Sequence, residues 1–136
     1  MTPVHAPMGA EELNALGVLN LAHVGDGVYE LLVRTHLARQ GAAKIGDQHK
    51  RTIAYVSAPA QAAAMERLLP HLTEEEHKIY RRGRNARVHG CPAGCTIAQY
   101  HAATALEALF GWLWLRGQPD RIQELFSIIL ENDDAS

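Results

Sequence analysis

The chain has few aromatic residues, two cysteines and almost no net charge, and each shortage excludes something. Aromatics make up 6% of its 136 positions, so there is little from which to build a stacking platform for unpaired bases. Two cysteines, Cys91 and Cys95 in HGCPAGC, cannot staple a small disulfide framework. The formal charge is −2, so contact with an acidic polymer has to come from local basic clusters rather than from an overall basic balance. No apolar run approaches the roughly 20 residues that cross a bilayer. The opening MTPVHAPMGAEE has no basic patch followed by an apolar stretch, so no secretory signal and no membrane partner are expected, and a cytoplasmic location follows. A Gly-rich phosphate loop, a defensible Ser-His-Asp constellation, internal repeats and low-complexity tracts are all missing.

What is present reads as helix almost throughout. Hydrophobic residues make up 47% and charged residues 21%, a globular mixture for one domain. Apolar residues recur at three and four, and no segment alternates like a strand, so the expected class is all-α. Residues 1–10 read as a flexible N-terminal arm, 11–132 as the domain and 133–136 as a tail. A long helical stretch runs from Glu11 to Gln40, with Gly25 and Gly27 predicting a bend near Asp26 and Gly41 a stop. Residues 41–47 form a loop and Asp47–Tyr55 a short helix. Ser57 caps the next helix, which Pro70 ends near Leu69. Thr73 and Glu76 make a capping box that opens another, to about Arg82. Residues 83–96 form the longest internal loop, a kind more often functional than idle. Thr96–Leu115 is an apolar helix stopped by Gly117, and Pro119-Asp120 opens the last.

Two acids have the wrong neighbours. Asp26 stands between glycines in an apolar stretch, and Glu107 lies in ATALEALFGWLWL, a helix apolar almost all round and therefore buried. Buried carboxylates need partners. One arrangement serves both: convergence on a divalent cation. The plainer readings stand beside it. Asp26 can cap a second helix beginning at Gly27, and Glu107 can face solvent or pair with an arginine. Glu30, four residues after Asp26, either supports the site or pairs with Arg34.

Basic residues fall in two clusters. RRGRNAR places Arg81, Arg82, Arg84 and Arg87 at a helix end, where arginine suits phosphate or simply the helix dipole. His49-Lys50-Arg51 lies on the short helix. His49, Lys50, Arg81, Arg84, Asn85 and Arg87 are the candidates for contact with the backbone of an acidic polymer. His89, Cys91, Cys95 and His101 could surround zinc, but a lone cysteine pair is weak support. A Gly/Pro turn with two incidental thiols is preferred, and zinc is not expected. A small-molecule phosphohydrolase would need an adjacent His-Asp pair, and only Asp47-Gln48-His49 comes near one.

The stretch LNLAHVGDGVYELLVRTHL resembles the signature helix of the ribonuclease III catalytic domain, and TALEALFGWLWL resembles that family's second acidic motif. HKRTIAYVSAPAQA and LTEEEHKIYRRGRNAR look like the intervening segments of its mini-ribonuclease III branch, which lacks a separate double-stranded-RNA-binding domain. The resemblance covers roughly residues 13–130. It implies an all-α, homodimeric endonuclease domain that cuts double-stranded RNA with Mg²⁺, leaves 5′-phosphate ends, and matures the 23S ribosomal RNA precursor. Asp26 and Glu107 would be its catalytic and metal-binding residues. The family's further carboxylates are missing: Ala22 and Thr104 stand at those positions. Glu30 and Thr104 are left as supporting residues. The same losses support an alternative, an RNA-binding module of this fold in ribosome assembly with little or no catalytic activity.

Overall fold

The computed structural model describes residues 2–41, 44–88 and 90–134, the last three by backbone alone. Among these residues seven helices follow in order: α1 (Ala10–Ala15), α2 (Val18–Arg39), α3 (Ile45–Val56), α4 (Ala58–Leu68), α5 (Glu74–Arg84), α6 (Ile97–Leu115) and α7 (Pro119–Asp134). A single 3₁₀ turn, Leu69–His71, links α4 to α5. No strand occurs among the described residues, and no helix among them is long and apolar enough to cross a membrane.

The centre of the bundle is α6. Its residues from Ala103 to Leu113, Glu107 excepted, are buried, as its all-round apolar sequence requires. Helices α2, α4, α5 and α7 pack around it. Tyr29 of α2 lies edge-on to Phe110 of α6 and Phe126 of α7, with ring centroids 5.3 and 6.0 Å apart, the geometry that aromatic quadrupoles favour.

The expected bend at Asp26 is absent. Helix α2 runs unbroken through Gly25-Asp26-Gly27, and the break falls at Leu16-Gly17 instead. Packing is the reason. A Cβ on Gly25 would lie 1.6 Å from the Glu107 backbone oxygen, and one on Gly111 would lie 1.9 Å from that of Leu21. The two glycines let α2 and α6 cross in backbone contact. That contact outweighs the roughly 1 kcal/mol by which glycine disfavours a helix interior. The reading of Asp26 as a helix cap therefore fails, since Gly17 holds the N-cap position.

Local signals elsewhere place the ends to within a few residues. The Thr73/Glu76 box forms, with bonds of 2.9 and 3.2 Å. Thr96 and Gln99 form a second box at the start of α6, at 2.9 and 3.0 Å. Ser57 occupies the N-cap of α4 without a side-chain bond; its carbonyl accepts from the Gln61 amide at 2.9 Å. Helix α5 extends to Arg84, which shortens the following loop to 85–96.

Glu76 does more than cap. It is 3% exposed and accepts from Arg121 of α7 at 2.8 and 2.9 Å. Burial pushes its carboxyl up, but the bonds from Arg121 and Thr73 outweigh burial and hold it below the usual value. Arg121 also donates to the His71 carbonyl at 2.8 Å, so one guanidinium ties α7 to the α4–α5 corner. The N-terminal segment docks through the Met8 amide, which donates to the Leu115 carbonyl at 2.8 Å.

Candidate active site

The crossing of α2 and α6 brings Asp26 to Glu107. Asp26 directly follows the glycine that touches the Glu107 backbone, and the two carboxyl groups lie close enough to interact. Asp26 is exposed and Glu107 is partly buried. Burial is the main reason that the Glu107 carboxyl is pushed up from its ordinary 4.5 to about 8; the bond to Asp26 and repulsion from it add to this, and a bond from Gln61 opposes it. Among the described residues no lysine, arginine or histidine pairs with either acid.

This arrangement fits a divalent cation. Two apposed carboxyl groups with no basic partner repel one another when ionised, and a cation between them would offset that repulsion. The donors are oxygens only, which suits a hard ion such as Mg²⁺. No group of three or more His, Cys, Asp or Glu side chains converges among the described residues, so the remaining positions around such an ion would fall to water or substrate.

The other sequence candidates lie apart from the pair. Glu30 pairs with Arg34 at 3.5 Å on the exposed face of α2. Ala22 is buried, and the buried Thr104 donates its hydroxyl hydrogen to the Tyr100 carbonyl at 3.0 Å within its own helix. His49 and Lys50 are exposed on α3. Arg81, Arg84 and Arg87 are exposed on or just beyond α5, where Asn85 is the C-cap. The Arg84 guanidinium lies 5.3 Å from the Tyr80 ring centroid, beside a cleft between α4, α5 and α6. No described contact joins these basic groups to Asp26 or Glu107. Of the zinc candidates, His89 lies outside the described residues. Cys91 is exposed, and the Cys95 thiol donates to the Pro92 carbonyl at 3.4 Å.

Residues 19–118, which contain both acids, match the ribonuclease III domain family. The chain is 46% identical over 107 residues to mini-ribonuclease 3 of Symbiobacterium thermophilum, covering 79% of this chain and 82% of that one. It is 43% identical over 122 residues to mini-ribonuclease 3 of Brevibacillus brevis, covering 87% and 91%. The X-ray crystal structure of a Fusobacterium nucleatum protein superposes with a TM-score of 0.81 at 29% identity, covering 90% of this chain and 98% of the other. The chain belongs to the ribonuclease III family, in its mini-ribonuclease III branch.

It is accordingly an RNA-cleaving endoribonuclease. Within this ribonuclease III domain, the sequence reading missed one polar neighbour of the acidic pair. Gln61 of α4 is 2% exposed and lies near Glu107. The available signal was a lone amide among the alanines of APAQAAA, four residues after Ser57 and so on a face that Ala64, Met65 and Leu68 bury.

Proposed function

We propose that this ribonuclease III-family enzyme cuts double-stranded RNA with Mg²⁺ held by Asp26 and Glu107, and that it matures the ends of the 23S ribosomal RNA precursor in the cytoplasm. The observation that carries this reading is the meeting of the two carboxyl groups at the α2–α6 crossing, away from any basic partner.

When bound, the cation would polarise the scissile phosphate and supply a more acidic water, leaving 5′-phosphate and 3′-hydroxyl ends. The chain's own part is to hold two negative charges at fixed separation. Backbone contact between α2 and α6 sets that separation, so neither acid depends on a mobile loop. Burial of Glu107 on one side and exposure of Asp26 on the other make the site open toward a polymer. Arg81, Arg84, Asn85 and Arg87, with His49 and Lys50, supply backbone contacts. Reading is by duplex shape, since the shallow minor groove of A-form RNA presents 2′-hydroxyls rather than a distinctive base code.

The enzyme acts as a homodimer. An apolar groove of about 380 Å³ lies between α2, α6 and α7, lined by Val24, Val28, Leu31, Leu32, Trp114 and Ile122. Leu31 is 65% and Trp114 41% exposed, a surface that a second copy of the chain would bury. The lining residues Val24, Gly27 and Val28 flank Asp26 on α2, so this interface would set two sites near one another.

Cleavage of a perfect RNA duplex, with end mapping, tests the assignment. Asp26→Asn should keep the fold and lose about a thousand-fold or more in rate, equivalent to roughly 4 kcal/mol of transition-state stabilisation. Wild-type cleavage by that variant would sink it.

A further inference from the structure

Free cysteine is among the most buried residue types, and its reactivity rather than its packing decides what it does at a surface. Cys91 is exposed and Cys95 half-buried, and neither belongs to the hydrophobic core. Both stand in the loop 85–96 that joins α5 to α6, so packing does not account for either.

The chain turns back on itself between them. Ala93 and Gly94 form the turn, and Gly94 has φ +92°, the left-handed region that glycine enters without steric cost. The Cys91 thiol reaches forward across the turn and donates to the Cys95 carbonyl at 3.8 Å. The Cys95 thiol reaches back and donates to the Pro92 carbonyl at 3.4 Å. Each sulfur thus leans toward the other's end of the same turn. Reverse turns hold the Cα atoms at their ends within about 7 Å, which is also about the reach of a disulfide. Contacts from S–H to a carbonyl are weak, so neither holds its thiol back from reaction.

Independently of the acidic pair, we propose that Cys91 and Cys95 are a redox-active dithiol: a low-molecular-weight disulfide of the glutathione type oxidises them to a bridge that closes the turn before α6, and excess thiol reopens it. Cys91, the more exposed, gives up its proton and attacks one sulfur of the small disulfide. The Cys91–sulfur bond forms, the small disulfide bond breaks, and one thiolate leaves and takes up a proton. The Cys95 thiolate then attacks the Cys91 sulfur and expels the second small thiol. In sum the chain loses two hydrogens and one small disulfide becomes two thiols. The second step is intramolecular, with an effective concentration on the order of millimolar or more. So small a ring constrains the unfolded chain little, and an exposed bridge is of the labile kind, so the reaction runs both ways.

The test needs neither RNA nor metal. The full chain is equilibrated with mixtures of oxidised and reduced glutathione, quenched with acid, alkylated and weighed intact. With oxidised glutathione in excess, wild type should lose two hydrogens and carry no glutathione, and a peptide map should join Cys91 to Cys95. Excess reduced glutathione should restore both thiols. Cys91→Ser and Cys95→Ser should each retain one glutathione, with thermal melting as the control for folding. In guanidinium chloride the ratio of bridged to glutathione-bearing wild type should fall several-fold, because the turn is lost. Wild type that ends with two glutathiones, or unmodified, would show two incidental thiols and overturn the proposal. A bridge that excess reduced glutathione leaves intact would overturn its reversibility. An unchanged ratio in guanidinium chloride would overturn the part assigned to the turn.

Discussion

Glu107 should make the metal-free enzyme weaken as pH rises. Its carboxyl is pushed from 4.5 to about 8 in the folded chain, chiefly by burial and then by Asp26. The folded state therefore holds that proton more tightly than the unfolded chain does. Stability is fullest below pH 4.5, falls as pH rises from there to about 8, and levels off above. At about 1.4 kcal/mol per pH unit the ceiling is about 5 kcal/mol, and because Glu107 is only partly buried a loss of about 2–3 kcal/mol is expected. Against a typical domain stability of roughly 5–15 kcal/mol this is a large fraction. Glutamine has nearly the same shape and no charge. Thermal melts in EDTA should thus show wild type and Glu107→Gln alike near pH 5. By pH 8 the variant should melt roughly 10 °C higher, at about 3–5 °C per kcal/mol for a chain of this size. Added Mg²⁺ should close the gap from the wild-type side, because an ion bound only by the folded protein stabilises it. Parallel melting curves across this pH range would refute the reasoning, since the acid would then carry no burial penalty.

Three further outcomes follow from other parts of the molecule. Gly25→Ala drives a Cβ into the Glu107 backbone oxygen, 1.6 Å away; it should cost at least about 3 kcal/mol and separate the two acids, seen as a lowered melting temperature with loss of cleavage. Arg84→Ala, combined with Asp26→Asn to prevent cutting, should reduce the salt dependence of duplex binding by roughly one phosphate contact; an unchanged slope removes Arg84 from the footprint. Wild type should sediment as a dimer at micromolar concentration and Leu31→Asp as a folded monomer, because Leu31 is 65% exposed in the single chain; a monomeric wild type would exclude the apolar groove as a dimer interface.

The helices and their ends were largely legible in the sequence. The Thr73/Glu76 box, the positive-φ glycines Gly41 and Gly117, and the all-round apolar run around Phe110 act over a few residues, and each appears where its chemistry placed it. Asp26 and Glu107 were legible for a related reason: a carboxylate among apolar neighbours is conspicuous without knowledge of the fold. Gly25 was misread because helix propensity is a local quantity. Its real constraint is a carbonyl from a helix some eighty residues away along the chain, and nothing near Gly25 announces that carbonyl. Gln61 was passed over for the same reason, since Glu107, near which it lies, is on another helix.

Composition, caps and apolar periodicity by themselves determined that this chain is helical, roughly where most of its helices begin and end, and which acids are out of place. They could do so because hydrogen bonding within a helix and the burial of one stripe are short-range requirements. Only the tertiary structure decided that α2 stays whole through its glycines, that two distant acids meet, and that a buried amide stands near them. Those outcomes depend on which surfaces meet, and two glycines facing each other's backbone allowed α2 and α6 to meet more closely than side chains would permit.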